Sequence, residues 1–406
     1  MMYSEIALLT LIGYAGYRFK NRTYYKFQNK LKDMYKRERG FTNKLGKAPR
    51  LIYVNELNYG FELGLDLSGA MSYEEFENKE NYMKTFFKAK DIKISLKNND
   101  LTSLTLIKDK YSFVPFKPVK TKNNEVFLGY DRDNKPVIVN MDKFPHILIG
   151  GDTGTGKSRV LMALLTNLIT NNDVNLYLMQ IRKGDLTIFR NCKQTKEVAQ
   201  TLDDTLEVLR NLNNICVERD KKIEDYIEEG IYNISDWNKR FKYRQMKYIY
   251  AVIEEFSFYN PSGADTKEEK LIKKEILGLI KNIVAAGRSS GVFIITSLQK
   301  PTNSSIPTDI KAQLCTRVSM HIADKETSII ILGNANATKL GERECIVRTL
   351  GEKKCFSTTI DHDIIMENIK DSLVKKEAKK KPKKENKYAN NKGIIDFEVI
   401  RSEIEG

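Results

Sequence analysis

The sequence predicts an α/β fold in which a small α+β domain precedes a central, mostly parallel sheet. Three observations carry this prediction. A glycine-rich loop near residue 150 lies between an apolar strand and an apolar helix, and two further buried strands end in polar clusters near residues 254 and 299. Strands that alternate with helices are typical of parallel sheets, whose carboxyl-terminal strand ends meet at one ligand crevice.

The glycine-rich loop is the most specific signal in the chain. It follows the apolar strand end Ile147 to Ile149 and consists of Gly151, Asp152, Thr153, Gly154, Thr155, Gly156, Lys157 and Ser158. This G-x-x-x-x-G-K-S pattern is the P-loop, whose backbone N–H groups surround phosphate oxygens. It predicts that Lys157 reaches the β- and γ-phosphates of ATP and that Ser158 is a ligand of Mg²⁺. Val160 to Ile169 show helical spacing, so the dipole of a helix N-terminus adds to the anion site.

The segment Tyr248 to Phe258 begins with an apolar run that is predicted to be a buried strand. This run ends in two adjacent carboxylates, Glu254 and Glu255. We expect Glu254 to orient Mg²⁺ and its water, and Glu255 to polarise the attacking water as the catalytic base. The alternative is that both are surface charges at a strand end. The strand within Gly291 to Pro301 ends at Gln299, which is predicted to sense the γ-phosphate or to position water.

Two arginines are candidates to contact a phosphate group. Arg288 follows Ala-Ala-Gly, and Arg317 lies in Leu-Cys-Thr-Arg-Val. One of them is expected to act across a subunit interface as an arginine finger. For each arginine alone, a structural role is the alternative.

The positive charge of the chain is concentrated in two arms. The net charge is +15, of which residues 18–50 carry +10 and residues 375–387 carry +6, so the remainder sums to −1. Such arms contact a polyanion, either nucleic acid or an anionic membrane surface, unless they are simply solvated charge runs. The five cysteines show no C-x-x-C spacing, so neither a zinc site nor a disulfide framework is indicated.

We divide the chain into four segments. Residues 1–44 contain an uncharged, mostly apolar stretch at 6–17, followed by a basic collar. Twelve residues are few for a membrane span, which needs about 20. The stretch is therefore interpreted as a short membrane anchor, or as an amphipathic helix that packs on a partner. Residues 126–365 form the nucleotide-binding domain, and residues 366–406 form a Lys-rich tail that is too polar to fold alone.

Residues 45–125 are predicted to be a small α+β domain. Short strands are expected at Leu51 to Val54, Gly60 to Leu67 and Ile92 to Leu96. A helix is expected over Ser72 to Lys88, because Ser72 is followed by a glutamate three positions later, as in a capping box.

Several motifs, taken together, resemble the FtsK/SpoIIIE family of DNA-pumping ATPases. They occur in family order, with Val-Ile-Glu-Glu-Phe at 252–256 and the others at 129–137, 144–158, 286–301 and 310–318. The resemblance implies a RecA-like core, homo-hexameric rings on double-stranded DNA and ATP-driven translocation. Two positions depart from the family: Glu254 stands in place of the usual Asp, and Lys300 in place of the Arg of Gln-Arg-Pro.

A compact chain with one motor looks like the coupling proteins of Gram-positive conjugative elements. Its expected partners are DNA, further copies of itself, a relaxase, membrane channel proteins and the anionic inner face of the bacterial cell membrane. The alternatives are a soluble replication or segregation ATPase of a mobile element, a protein-secretion ATPase, and a nucleotide-gated adaptor with impaired hydrolysis.

Overall fold

The computed structural model describes residues 22–97, 101–108, 113–181, 184–299 and 305–374. The predicted anchor at 6–17 and most of the Lys-rich tail lie outside these residues. No helix within the described ranges is both long and apolar enough to cross a lipid bilayer.

The first domain is a four-stranded antiparallel sheet covered by helices. Its strands occur in the order β1-β2-β4-β3. The elements are α1 (Arg22–Arg37), β1 (Arg50–Leu57), β2 (Gly60–Asp66), α2 (Tyr73–Glu77), α3 (Glu80–Phe87), β3 (Asp91–Leu96) and β4 (Leu101–Ile107). The three predicted strands are present, and β4 is an additional one.

The predicted helix over residues 72–88 is two helices. Ser72 caps α2 as expected, because its hydroxyl accepts the N–H of Glu75 at 3.1 Å, and the Glu75 carboxylate accepts the N–H of Ser72 at 2.8 Å. The helix is interrupted at Asn78 and Lys79. As a result, α2 and α3 each place one aromatic residue, Phe76 and Phe87 respectively, in the core.

Helix α1 belongs to the core of the first domain. Phe27, Leu31 and Met34 are buried in the same apolar cluster as the sheet. The hydroxyl of Tyr24 donates to the carbonyl of Leu51 at 2.9 Å. The collar residues 22–37 therefore form a packed helix whose cations lie on its exposed face, and the first domain begins before the predicted boundary at residue 45.

The second domain is built on a ten-stranded sheet with the order β6-β5-β14-β13-β12-β7-β11-β10-β8-β9. In this spatial order, neighbouring strands from β12 through to β9 pair in parallel, and the pairs from β6 to β12 are antiparallel. The strands are β5 (Glu125–Tyr130), β6 (Pro136–Asn140), β7 (Ile147–Gly150), β8 (Asn175–Met179), β9 (Thr195–Ala199), β10 (Ile249–Ile253), β11 (Val292–Leu298), β12 (Thr316–Ser319), β13 (Glu344–Arg348) and β14 (Glu352–Phe356).

Helices cover both faces of this sheet. They are α4 (Lys157–Asn171), α5 (Leu202–Glu224), α6 (Ile234–Arg240), α7 (Lys267–Ser290), α8 (Thr308–Gln313), α9 (Lys325–Leu332) and α10 (His362–Ile369). Successive residues of β10 enter opposite cores: Tyr250 and Val252 pack on the α4 side, whereas Ile249 and Ala251 pack on the α5 and α7 side. Burial on both faces explains why the central strands are continuous apolar runs.

The core of the second domain extends beyond its predicted ends. Phe116 is buried and contacts Phe127, and at the other end Ile369 is buried in the same cluster. The predicted limits of 126 and 365 therefore cut through packed segments. The two domains touch where the hydroxyl of Tyr59 donates to Asp133 at 2.9 Å.

Candidate nucleotide-binding site

The P-loop lies between the end of β7 and the start of α4. Gly156 has φ +105°, a conformation that side chains disfavour, and helix α4 begins at the next residue, Lys157. Gly151 is required for a different reason: a Cβ there would come within 2.6 Å of the Cβ of Met320. The loop thus packs closely on the segment after β12, while its backbone forms the concave turn that a phosphate chain needs.

Asp152 ties this loop to the chain after β12. Its N–H donates to the carbonyl of His321 at 3.1 Å, and its carboxylate accepts the N–H of Ala323 at 2.9 Å. The hydroxyl of Thr155 donates to the Asp152 carbonyl at 2.7 Å. Thr153, Gly154 and Ser158 are exposed, so the open side of the loop is accessible to a ligand.

Lys157 is the buried cation of the site. Its Nζ atom lies 3.5 Å from Oε2 of Glu255. Burial lowers the pKa of the Lys157 ammonium, and the Glu255 carboxylate opposes that shift. The negative charges of Glu254 and Asp185 act on Lys157 in the same direction as that of Glu255. A polyphosphate would add further negative charge that stabilises the buried ammonium.

Glu254 and Glu255 follow β10 directly and have different surroundings. Burial raises the pKa of Glu254, the negative charge of Asp185 adds to the effect, and a hydrogen bond from the Asp185 backbone opposes it. Glu255 accepts the hydroxyl of Ser257 at 2.7 Å and the backbone N–H of Gln299 at 3.1 Å. Glu255 is thus fixed by hydrogen bonds, whereas a divalent cation would relieve the desolvated charge of Glu254.

These residues share one crevice at the carboxyl ends of the parallel strands. A cavity of about 200 Å³ is lined by Gln180, Ile181, Gly184, Glu254, Glu255, Phe258, Tyr259 and Gln299. The structure therefore brings the predicted Lys157, Glu254, Glu255 and Gln299 together. The glycine turn, the buried ammonium and the paired carboxylates fit a nucleoside triphosphate with a divalent cation. Lys300 lies outside the described residues.

Arg288 and Arg317 do not reach this crevice within the chain. Arg288 is in the last turn of α7, near the amino end of the sheet, and its Nε donates to the carbonyl of Asp142 at 2.8 Å. Arg317 donates to three carbonyls, those of Leu314, Ile331 and Lys311, at 3.2–3.4 Å. Action of either arginine across a subunit interface stays a prediction.

Arg343 is a neighbour of the P-loop that was not among the residues predicted from the sequence. Its Cα lies 4.0 Å from the position of a Cβ on Gly156, and its φ is +62°. The guanidinium stacks 4.0 Å from the ring centre of Phe113 and donates to the Thr359 hydroxyl at 2.8 Å. Burial and then the charge of Arg159 lower the pKa of Arg343. No local pattern marks this arginine, because tertiary packing alone brings it to the loop.

Comparisons with known proteins agree with this geometry. The FtsK/SpoIIIE family model matches residues 117–348, more than half of the chain. The DNA translocase FtsK of Staphylococcus aureus is 23% identical over 283 residues, which cover 65% of this chain and 34% of that protein. FtsK of Chlorobaculum tepidum is 25% identical over 235 residues, covering 54% and 28%. The chain therefore spans about a third or less of the length of these curated relatives.

Solved structures match over the same fold. The monomer form of the pCW3 conjugation coupling protein TcpA with ATPγS has a TM-score of 0.60 at 19% identity, covering 83% of this chain and 97% of that one. ATPases 2 and 3 of EssC from Geobacillus thermodenitrificans have a TM-score of 0.54 at 14% identity, covering 66% and 51%. The predicted α/β class, with its large and mostly parallel P-loop sheet, is confirmed. Because the family model covers most of the second domain, the chain belongs to the FtsK/SpoIIIE family.

Proposed function

We propose that this chain is an ATP-driven DNA translocase that moves the DNA of a conjugative plasmid or integrative element. One observation supports the proposal most directly: within an FtsK/SpoIIIE core, Glu255 contacts both the ammonium of Lys157 and the backbone N–H of Gln299 at the carboxyl ends of the parallel strands. DNA is the proposed cargo because FtsK proteins that are described as DNA translocases align with 65% of the chain.

In this proposal each site residue has one task. Lys157 and the P-loop amides would bind the phosphates, and Mg²⁺, when bound, would supply positive charge that offsets the charge developing in phosphoryl transfer. Ser158 and Glu254 would hold that cation. Glu255, fixed by Ser257 and Gln299, would accept the proton of the attacking water.

The conjugative role draws support from the extent of the likeness to TcpA. That coupling protein aligns with 83% of this chain, whereas EssC aligns with 66%. Attachment to the inner face of the membrane, hexamer formation and contact with a relaxase or channel belong to the same proposal. Fractionation of cells that express the full chain tests attachment, since recovery with cytosolic proteins would favour a soluble replication or segregation ATPase.

A second candidate is a protein-secretion ATPase, which the EssC likeness favours. The ATPase rate with and without duplex and single-stranded DNA, at stated salt, separates the two. A translocase should be stimulated by duplex DNA. A purified chain that hydrolyses ATP at the same rate with and without DNA would contradict the proposal and favour secretion.

The site assignment is tested by two substitutions. Glu255→Gln should retain nucleotide binding and lower turnover by a factor of about 100 or more, since general-base catalysis contributes that much. Lys157→Ala should weaken nucleotide binding itself. Glu268→Gln, at an exposed position in the first turn of α7, is the matched control. Normal turnover by Glu255→Gln would refute the assigned base.

A further inference from the structure

The segment 239–247, which we name the basic turn, comprises the last two residues of α6 and most of the connection from α6 to β10. It contains five cations and no carboxylate: Lys239, Arg240, Lys242, Arg244 and Lys247. Tyr243 at its tip is fully exposed, with a relative exposure of 102%. An exposed aromatic ring between two cations has no evident role in folding.

The basic turn has a defined conformation. The side-chain amide of Asn238 forms two hydrogen bonds with the backbone of Met246: it donates to the carbonyl at 2.9 Å and accepts the N–H at 2.7 Å. The indole N–H of Trp237 donates to the carbonyl of Arg244 at 2.8 Å, and the N–H of Arg244 donates to the carbonyl of Phe241 at 3.0 Å. The tip is therefore presented by a closed, hydrogen-bonded turn.

An aromatic cluster supports this turn from below. The ring centres of Trp237 and Phe241 are 4.6 Å apart, and Tyr226 packs on both at 5.3 and 5.2 Å. The apolar side chains of the segment face inward: Phe241 and Met246 are partly buried against this cluster. The outer surface of the turn is thus left to charged, hydroxyl and amide groups.

The charges at the tip are not compensated. Lys239 pairs with Asp236 at 3.5 Å, Arg240 with Glu229 at 3.9 Å, and Lys247 with Asp173 at 2.6 Å. Within the described part of the chain, Lys242 and Arg244 form no ion pair. Two free cations therefore flank the exposed tyrosine.

The basic turn is remote from the nucleotide site. It precedes the amino end of β10, whereas Glu254 follows the carboxyl end of that five-residue strand. The length of the strand separates the two by about 16 Å. These cations therefore lie too far from Glu254 to contact a nucleotide at the P-loop of the same chain.

We propose that Lys242, Tyr243 and Arg244 form a contact site for the phosphate backbone of DNA. The inference rests on the proposed function and adds a residue-level site to it. Arginine binds phosphate with a planar pair of donors, lysine adds a point charge, and a tyrosine hydroxyl donates to phosphate or sugar oxygens. Such contacts carry no base information, as a motor that moves any sequence requires.

A membrane surface is the less suitable partner. Binding to a lipid interface is strengthened by apolar side chains that enter the acyl boundary. The apolar residues of the basic turn instead face the Trp237 cluster, and the exposed tip carries one hydroxyl-bearing ring.

The test compares the full-length wild type with Lys242→Ala/Arg244→Ala. Each lost phosphate contact lowers the slope of log affinity against log salt by about 0.9, so the double variant should lose about 1.8 from that slope. Its affinity for a fluorescent duplex at 0.1 M salt should fall roughly tenfold or more. Hydrolysis without DNA should be unchanged, and the duplex concentration for half-maximal stimulation should rise.

The matched control is Lys267→Ala/Lys274→Ala, which removes the same charge from exposed positions of α7. An unchanged slope in the Lys242/Arg244 variant, or an equal loss in the control, would overturn the inference. Loss of sedimentation with phosphatidylserine vesicles but not of duplex binding would also overturn it, and would assign the turn to lipid. If the double variant lowers the slope of log affinity against log salt but duplex DNA does not stimulate the ATPase of the wild type, the contact site is supported and the translocase proposal is refuted.

Discussion

His146 is expected to make the stability of the protein depend on pH. This residue lies immediately before β7 and has φ +58°. Its ring is buried, and its Nδ1 atom accepts the N–H of Ile294 at 3.0 Å. Burial lowers the pKa of His146 to about 4, from an ordinary value of 6.5. The neutral ring is therefore part of the contact between the P-loop strand and its neighbour β11.

The sign of the effect follows from proton binding. Between pH 6.5 and about 4 the unfolded chain binds a proton at His146 that the folded chain does not. The free energy of unfolding must then fall as the pH falls through this window. With these two pKa values, moving from pH 7.5 to 5.0 removes about 2 kcal/mol.

The assay is urea unfolding of the wild type and of His146→Asn at both pH values. Asparagine tolerates a left-handed backbone, and its side-chain oxygen can accept the Ile294 N–H, so the variant removes mainly the titration. The variant is expected to be less stable at pH 7.5, because it loses buried ring volume, but to lose about 2 kcal/mol less on acidification. Equal acid sensitivity of the two proteins would refute the reasoning.

Two further predictions concern other parts of the chain. Gly184→Ala should lower turnover at least about tenfold, because the new methyl group would overlap the Glu254 carboxylate and displace it. Nucleotide affinity should change little. ATPase and nucleotide-binding measurements check both expectations. Leu31→Ala should destabilise the first domain by about 3 kcal/mol in urea unfolding, because Leu31 is buried in its core, whereas Lys32→Ala at the exposed neighbour should have little effect. Equal midpoints for these two variants would contradict the place given to α1.

Local patterns identified the residues that the structure brings together beside the P-loop, because each of these motifs is contiguous in sequence. The P-loop and the Glu254–Glu255 pair each combine an apolar strand with a fixed set of polar residues, and parallel strands bring their ends together. Arg343 and Asp185 could not be predicted in this way, because neither the residue before β13 nor the short 3-10 helix that begins at Asp185 carries a motif.

The domain limits were harder to predict for a related reason. The charge of residues 18–50 predicted an arm outside the folded domains that contacts a polyanion, with a solvated charge run as the alternative. The apolar residues Phe27 and Leu31 nevertheless repeat at helical spacing and pack on the sheet. Net charge describes the exposed face of a helix, whereas burial of the opposite face decides which domain contains it.

The departure at Glu254 has a structural counterpart at Gly184. Glutamate is one methylene longer than the aspartate that the family resemblance leads us to expect. The structure accommodates this length because residue 184 has no side chain, and a Cβ there would overlap the carboxylate. Because Glu254 lies against Gly184, it also lies close to the backbone and the carboxylate of the next residue, Asp185. Burial, and then the negative charge of Asp185, raise the pKa of Glu254. Shortening the acid should relieve the overlap, so Glu254→Asp is expected to restore part of the turnover that Gly184→Ala removes. A double variant no faster than Gly184→Ala alone would show that these two positions do not compensate each other.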